Sequence, residues 1–227
     1  MTFIVLLIAY LVYAAFIMRF VLHVLIWWRS EVLSPLYGAP ASRLTGRLFV
    51  SEAADIFFFR RLFRVNSILW FGEWLFHIFF FLTALRHLRY FLDPVPGWII
   101  CLQPVGICAG YLLPFALVYI LALRLLTERE EYLAPSNLSV LLLLFLISIT
   151  GVLMHGIVKP DVVSVKEFII GMVTFKPVPV PKNLLFILHF ALVLILVPFL
   201  PTHIFVAPFV IIEARKRDEG LGRVMHD

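Results

Sequence analysis

Residues 67–92 read SILWFGEWLFHIFFFLTALRHLRYFL, an apolar run whose few polar groups include two histidines, His77 and His87. A hydrocarbon core of ~30 Å is crossed by about 20 apolar residues in a helix rising about 1.5 Å per residue, so this run has the length of a membrane span. Imidazole is polar and titratable. Inside a bilayer it is retained when it pairs, lines a water path, or binds a metal or cofactor. The stretch therefore predicts a membrane helix that offers two candidate ligands at different depths.

Applied outward, the same criterion predicts five spans, at approximately 3–28, 67–92, 98–125, 138–158 and 183–212. Of the 227 residues, 63% are apolar and 15% charged, with a mean hydropathy of +1.03. Soluble domains are roughly half apolar, and a soluble fold of this size could not cover so much apolar surface. The first run is not read as a cleavable signal, because it has no basic n-region, is too long, and lacks a small-residue cleavage site. The expected class is an all-α integral membrane protein, a five-transmembrane-helix bundle in the cytoplasmic (inner) cell membrane. With no internal repeat and no long linker, residues 1–227 are read as one domain.

The basic residues set the expected orientation. Arg29, Arg43, Arg47, Arg60, Arg61, Arg64, Arg124, Arg129, Arg215, Lys216, Arg217 and Arg223 fall on one side, and Arg86, Arg89, Lys159, Lys166, Lys176 and Lys182 on the other. The richer side is cytoplasmic, which places the N-terminus outside and the C-terminus inside. The formal charge of +5 then reports topology and anionic lipid rather than nucleic acid. Residues 48–64 alternate apolar and charged groups in a way that predicts an amphipathic helix at the cytoplasmic interface. On the outer side, Val162, Val165, Phe168, Ile169, Met172 and Phe175 recur at helical spacing before Pro177, Pro179 and Pro181, which predicts a lid helix over 162–175.

Both cysteines, Cys101 and Cys108, fall in the third span. No CxxCH occurs, and two thiols cannot hold a four-thiolate iron–sulfur cluster. They read as small packing residues.

The histidines carry the chemistry. The fifth span holds His189 and His203, fourteen residues apart, as the second holds His77 and His87, ten apart. Ten residues are ~15 Å along a helix and fourteen are ~21 Å, with angular offsets of about 80° and about 40° respectively, so each pair stays on one broad face. On antiparallel helices His77 meets His203 toward the cytoplasm and His87 meets His189 toward the outside. The mismatch of ~6 Å needs tilt and a bend at Pro198 and Pro201. No carboxylates or cysteines cluster nearby, which disfavours zinc or di-iron. Glu73, four residues before His77, is positioned to orient that ligand or to act as an interfacial carboxylate. Interhelical hydrogen bonding by the histidines is the plain alternative.

The stretch DIFFFRRLFRVNSILWFGEWLFHIFFFLTALRHLRY from Asp55 to Tyr90, the segment VKEFIIGMVTF, and the closing HFALVLILVPFLPTH with its basic tail resemble the membrane cytochrome b of the respiratory nitrate reductase gamma-subunit family. Within it the chain is most similar to the branch found in Dsr-type and Hme complexes and membrane-bound heterodisulfide reductases. The resemblance implies five spans, two b haems with His77, His203, His87 and His189 as axial iron ligands, and a quinone site, with menaquinone the expected carrier. It also implies a cytoplasmic iron–sulfur partner docked on loop 43–64 and tail 213–223, with a periplasmic cytochrome c or further membrane subunits in the same complex. The fifth-span spacing departs from the nitrate reductase gamma subunit by about one helical turn. It equals that of the formate dehydrogenase gamma subunit, which takes a ligand from its first helix, so His23 is an alternative ligand that would leave His87 free.

Arg86 and Arg89 flank His87, where a guanidinium could pair with a haem propionate or snorkel to the headgroups. His155, Lys166 and Gln103 are the candidate quinone partners. The chain has no nucleotide fingerprint, flavin motif or cluster ligands, so it does not run a whole reaction alone. The expected function is electron transfer between quinol and the iron–sulfur partner in anaerobic, sulfur-linked respiration. A transporter or structural anchor without haem is the alternative from a different class.

Overall fold

A computed structural model describes residues 2–33, 56–127 and 135–201. Among these the secondary structure is entirely helical. Eight α-helices follow in order: α1 Thr2–Leu33, α2 Arg60–Val65, α3 Ser67–His87, α4 Gly97–Cys101, α5 Gln103–Thr127, α6 Pro135–Gly156, α7 Val162–Val173 and α8 Leu184–Leu196. Four segments are long and apolar enough to cross a membrane, Thr2–Ile26, Ser67–Tyr90, Gln103–Leu126 and Leu138–Gly156, while Leu184–Phe199 is a shorter apolar helix. The expected fifth span reaches 212, and its part beyond Pro201 lies outside the described residues.

The boundaries have local causes. Asn66 caps α3, its Oδ1 accepting from the Leu69 N–H at 2.9 Å, and Asn183 caps α8 in the same way toward Phe186 at 3.0 Å. The third span, expected from 98, is divided: a one-residue break at Leu102 separates α4 from α5. Pro104 follows that break and has no N–H to return to Ile100, so the two pieces do not form one uninterrupted ladder. The break also falls between Cys101 and Cys108, so the two free cysteines do not share a single helix. The α-helix of α8 gives way to a 3₁₀ turn, Val197–Phe199. Pro198 is the cause, since it cannot donate to the carbonyl of Leu194.

Two compact units are distinguished. One comprises residues 1–10 and 66–196, the other 11–65 and 197–227. In the first, α5 packs on α3 and on α6, and α8 packs on α6. The expected lid helix is α7, which lies against the 3₁₀ turn Leu88–Tyr90. Its inner face forms a cluster of Val165, Phe168 and Ile169 with Leu6, Val180 and Phe186. Asp161 caps α7 through the Val163 and Ser164 N–H groups, and the Ser164 hydroxyl also donates to it. Those bonds hold the Asp161 carboxyl below the usual carboxylate range, the Ser164 hydroxyl contributing most. The ends of the α7 region are tied to α1: the Tyr10 hydroxyl donates to the Met172 carbonyl at 3.0 Å, and the Val180 N–H donates to Thr2 Oγ1 at 3.3 Å.

In the second unit, Arg19 of α1 donates to the Pro198 carbonyl at 2.9 Å, so this intrahelical cation is used to bind a carbonyl of the proline turn. The amphipathic helix expected over 48–64 is not continuous. Phe58 and Phe59 interrupt it, Phe59 at φ +47°, and α2 restarts at Arg60. A positive φ in a bulky residue breaks the helical ladder where neither glycine nor proline signals it. Residues 48–55 lie outside the described residues.

Candidate functional site

The site is built in the first unit, where the end of α3 faces α8, which packs on α6. His87 of α3 and His189 of α8 face each other with ring centroids 6.5 Å apart and ring planes inclined by 12°. Offset rings in contact have centroids about 4.5–7 Å apart. Two imidazoles bound to opposite sides of one first-row metal ion, at about 2.0–2.1 Å each, place their centroids roughly 6 Å apart. The observed gap has room for a metal between the rings and is also that of an offset pair, so the hydrogen bonds behind the rings decide what they can do.

The outer nitrogens of both rings are committed. His87 Nδ1 lies 2.6 Å from the Thr83 carbonyl, which can only accept, so Nδ1 carries the proton. His189 Nδ1 lies 2.8 Å from Thr150 Oγ1. That hydroxyl lies 2.9 Å from the carbonyls of both Leu146 and Ile147, to which its single proton goes, and its oxygen is left to accept from His189. Each ring therefore keeps its lone pair on Nε2, the form that binds a metal, with an oxygen behind it fixing tautomer and orientation.

One glycine is required by close approach. A Cβ at Gly151 would meet His189 Cε1 at an ordinary 3.4 Å contact, but one at Gly106 would lie 2.8 Å from Arg86 Cβ and 3.2 Å from the Leu82 carbonyl. Only glycine admits α5 so close to α3 at that point. The same packing half-buries Arg86. The buried Nε atoms of Arg86 and Arg89 have no hydrogen-bond partner among the described residues. Arg89 donates through Nη2 to the Tyr90 hydroxyl at 2.7 Å.

These features test the fit of a haem. Among the described residues no group of three or more His, Cys, Asp or Glu could hold a metal ion. Two facing imidazoles without further protein ligands suit an iron whose other four positions are filled by a macrocycle, and do not suit a zinc held by the protein alone. The unpartnered guanidinium nitrogens beside His87 suit an anionic substituent.

The other sequence-predicted residues fall as follows. His77 Nδ1 lies 2.7 Å from the Glu73 carbonyl, which places the proton on Nδ1 and the lone pair on Nε2. Glu73 thus orients His77 through its backbone, while its carboxylate accepts from Arg124 Nη2 at 2.6 Å. His203, the expected partner of His77, lies outside the described residues. His23, in the second unit, holds its Nδ1 2.7 Å from the Arg19 carbonyl. Lys166 pairs with Asp93 at 2.8 Å. Gln103 opens α5. His155 Nδ1 lies 2.9 Å from the Tyr111 hydroxyl. Sequence reasoning missed Thr150, Gly151, Gly106, Asp93 and Tyr111; a Thr–Gly pair inside the apolar run of α6 was the available signal.

Comparison with known proteins finds two curated relatives. Both are described as Hdr-like menaquinol oxidoreductase cytochrome b-like subunits. That of Archaeoglobus profundus is 30% identical, over 67% of this chain and 54% of its own length. That of Archaeoglobus fulgidus is 33% identical, over 65% of this chain and 53% of its own length. The chain is a homologue of these cytochrome b-like subunits. It spans about half the length of the relatives it matches. The expected resemblance to heterodisulfide-reductase-type membrane subunits is borne out by these descriptions. No family model matches the chain, and no solved structure does.

Proposed function

We propose that this chain is a membrane electron-transfer subunit of a quinol-linked oxidoreductase, with one b haem between His87 and His189 and a second between His77 and His203. The observation that carries this reading is the His87–His189 pair: parallel imidazoles 6.5 Å apart, each with Nδ1 on an oxygen. Haem held by these histidines would supply one-electron chemistry at two depths of the bilayer. The residues do the rest. Thr83, Glu73 and Thr150 hold the imidazoles in the ligating tautomer, and Arg86 and Arg89 are placed to neutralise propionates. The apolar helices exclude water.

The relatives' description supports menaquinol as the carrier and a multi-subunit complex as the setting. We place five spans in the cytoplasmic membrane with the N-terminus outside, so that the His87 end is outermost. The quinone site then lies near that end, with His155, Lys166 and Gln103 as candidates. Protons released there stay outside while electrons move toward a cytoplasmic iron–sulfur partner docked on loop 43–64 and tail 213–223, in sulfur-linked respiration. A periplasmic cytochrome c is a further partner of that complex. The formate-dehydrogenase-like scheme, which frees His87 and uses His23, is disfavoured by His87 already facing His189.

The test is a dithionite-reduced minus oxidised absorption spectrum of the purified protein with haem quantified per chain. Two b-type haems per chain are expected. A protein with no sharp visible band on reduction is a transporter or anchor, and this reading is then wrong.

A further inference from the structure

We infer that the hydrogen-bonded pair Tyr111–His155, bridging α5 and α6, is the headgroup-binding site for a quinol, a proposal that rests on the quinol-linked reading above and deepens it.

The pair is polar where polarity is costly. Tyr111 lies about two turns inside the apolar segment Gln103–Leu126, and His155 stands at the last turn of Leu138–Gly156. Both side chains are exposed, Tyr111 by 38% of its surface. Ionisable groups within membrane spans pair with one another and mark substrate and proton pathways, and this pair is exposed where a ligand from the lipid can reach it. The phenol and the imidazole, 2.9 Å apart with rings nearly perpendicular at 82°, can each donate or accept. Together they can accept from a quinol hydroxyl or donate to a quinone carbonyl without changing their net charge. Gly156 lies against the phenol, a Cβ there falling 3.6 Å from the Tyr111 hydroxyl.

The surroundings agree. Phe115 and Val118 follow Tyr111 at helical spacing on the same face of α5, exposed by 72% and 50%. They offer an apolar track leading away from the pair, as an isoprenoid tail requires. The positive charges of Arg86, Arg89 and Lys159 all reach His155, which favours an oxygen that is giving up its proton. The facing imidazoles are also close. His155 is one helical turn, ~6 Å of rise, beyond Gly151, which abuts His189. Tyr111 adjoins Gly110, whose Cβ would lie 3.8 Å from Thr83 Oγ1, on the residue that anchors His87. Lys166 is held by Asp93, and Gln103 lies two turns before Tyr111, so neither forms a comparable interhelical pair.

The experiment titrates the full chain in lipid nanodiscs with a fluorescent hydroxyquinoline N-oxide, a redox-inert quinol analogue, and follows fluorescence quenching. Tyr111→Phe and His155→Gln should each weaken binding at least tenfold, with the reduced-haem band unchanged in height. Both substitutions are at exposed positions and keep size, so the unchanged band also reports an intact fold. Unaltered binding in either variant overturns the site. So does a larger loss in Lys166→Gln than in these two, which would move the headgroup under α7. Failure of the underlying reading is separable. If the unmodified protein shows the haem band but binds no analogue, the quinol-linked reading falls and the site falls with it. If binding is present and lost in both variants while no haem band exists, the haem reading falls and the site stands.

Discussion

The two histidine levels of α3 treat charge in opposite ways. Around His77 the nearby guanidinium of Arg124 meets the Glu73 carboxylate, so that level neutralises itself within the chain. Around His87, Arg86 and Arg89 meet no carboxylate among the described residues; a buried Nε without a partner is common to Arg86, Arg89 and Arg124, so the ion pair alone separates the two levels. Burying uncompensated charge is costly unless a counter-charge is supplied. One end of the bundle thus carries its own counter-charge, and the other carries two guanidinium groups without one among the described residues. The backbone device is shared, since both imidazoles donate Nδ1 to the carbonyl four residues earlier.

The sharpest way to break this comparison is to remove a ligand from one level. His189→Ala should eliminate about half of the haem, because bis-histidine ligation fails when one imidazole is lost. The remaining haem should keep its spectrum. Retention of both haems would refute the pairing of His87 with His189.

Next in size is the charge at the His87 level. Arg86→Leu should lower the midpoint potential of one haem by on the order of 60 mV, the equivalent of tenfold in a one-electron equilibrium, because reduction there loses a neighbouring positive charge. Potentiometric titration followed at the haem band measures it. An equal shift in both haems would mean that the levels are not electrostatically distinct.

A smaller effect is expected behind His189. Thr150→Val keeps the shape but leaves the Nδ1–H without its acceptor, at a cost of about 1–3 kcal/mol. It should raise that haem's potential, since a ring that no longer donates is a less basic ligand, and Thr150→Ser should restore it. Equal potentials in both variants would make Thr150 a packing residue only.

The smallest effect concerns the α7 cap. The Asp161 carboxyl is depressed, so its stabilisation of the helix start is fully present above the unfolded value of about 3.9 and is lost as pH falls through the lower folded value. Amide exchange at Val163 and Ser164 should accelerate only in that acidic window. Acceleration that begins at neutral pH would point to a different group.

Much of this was readable in the chain. Run length alone located the four long spans, and 3.6-residue periodicity located α7 to within two residues of its expected end. The meeting of His87 with His189 was legible because depth along antiparallel helices is countable. What spacing cannot encode is which residue on another helix stands behind a ring. Thr150, Tyr111 and Asp93 are 39, 44 and 73 residues from His189, His155 and Lys166, and no local pattern joins them. The break at Phe58–Phe59 was hidden for another reason: the backbone adopts a positive φ at a residue type that does not favour it. The division at Leu102 had a visible signal in Pro104, which apolar counting ignores.

The ties between the start of α1 and the α7 region have a consequence in time. Tyr10 and Thr2 bond to groups 162 and 178 residues further along the chain. At a synthesis rate of about 5–20 residues per second, the first turn of α1 exists for roughly ten to thirty-five seconds before its partners have been made. Through that interval α1 must remain in lipid without these neighbours, and it gains them only once Met172 and Val180 have been made.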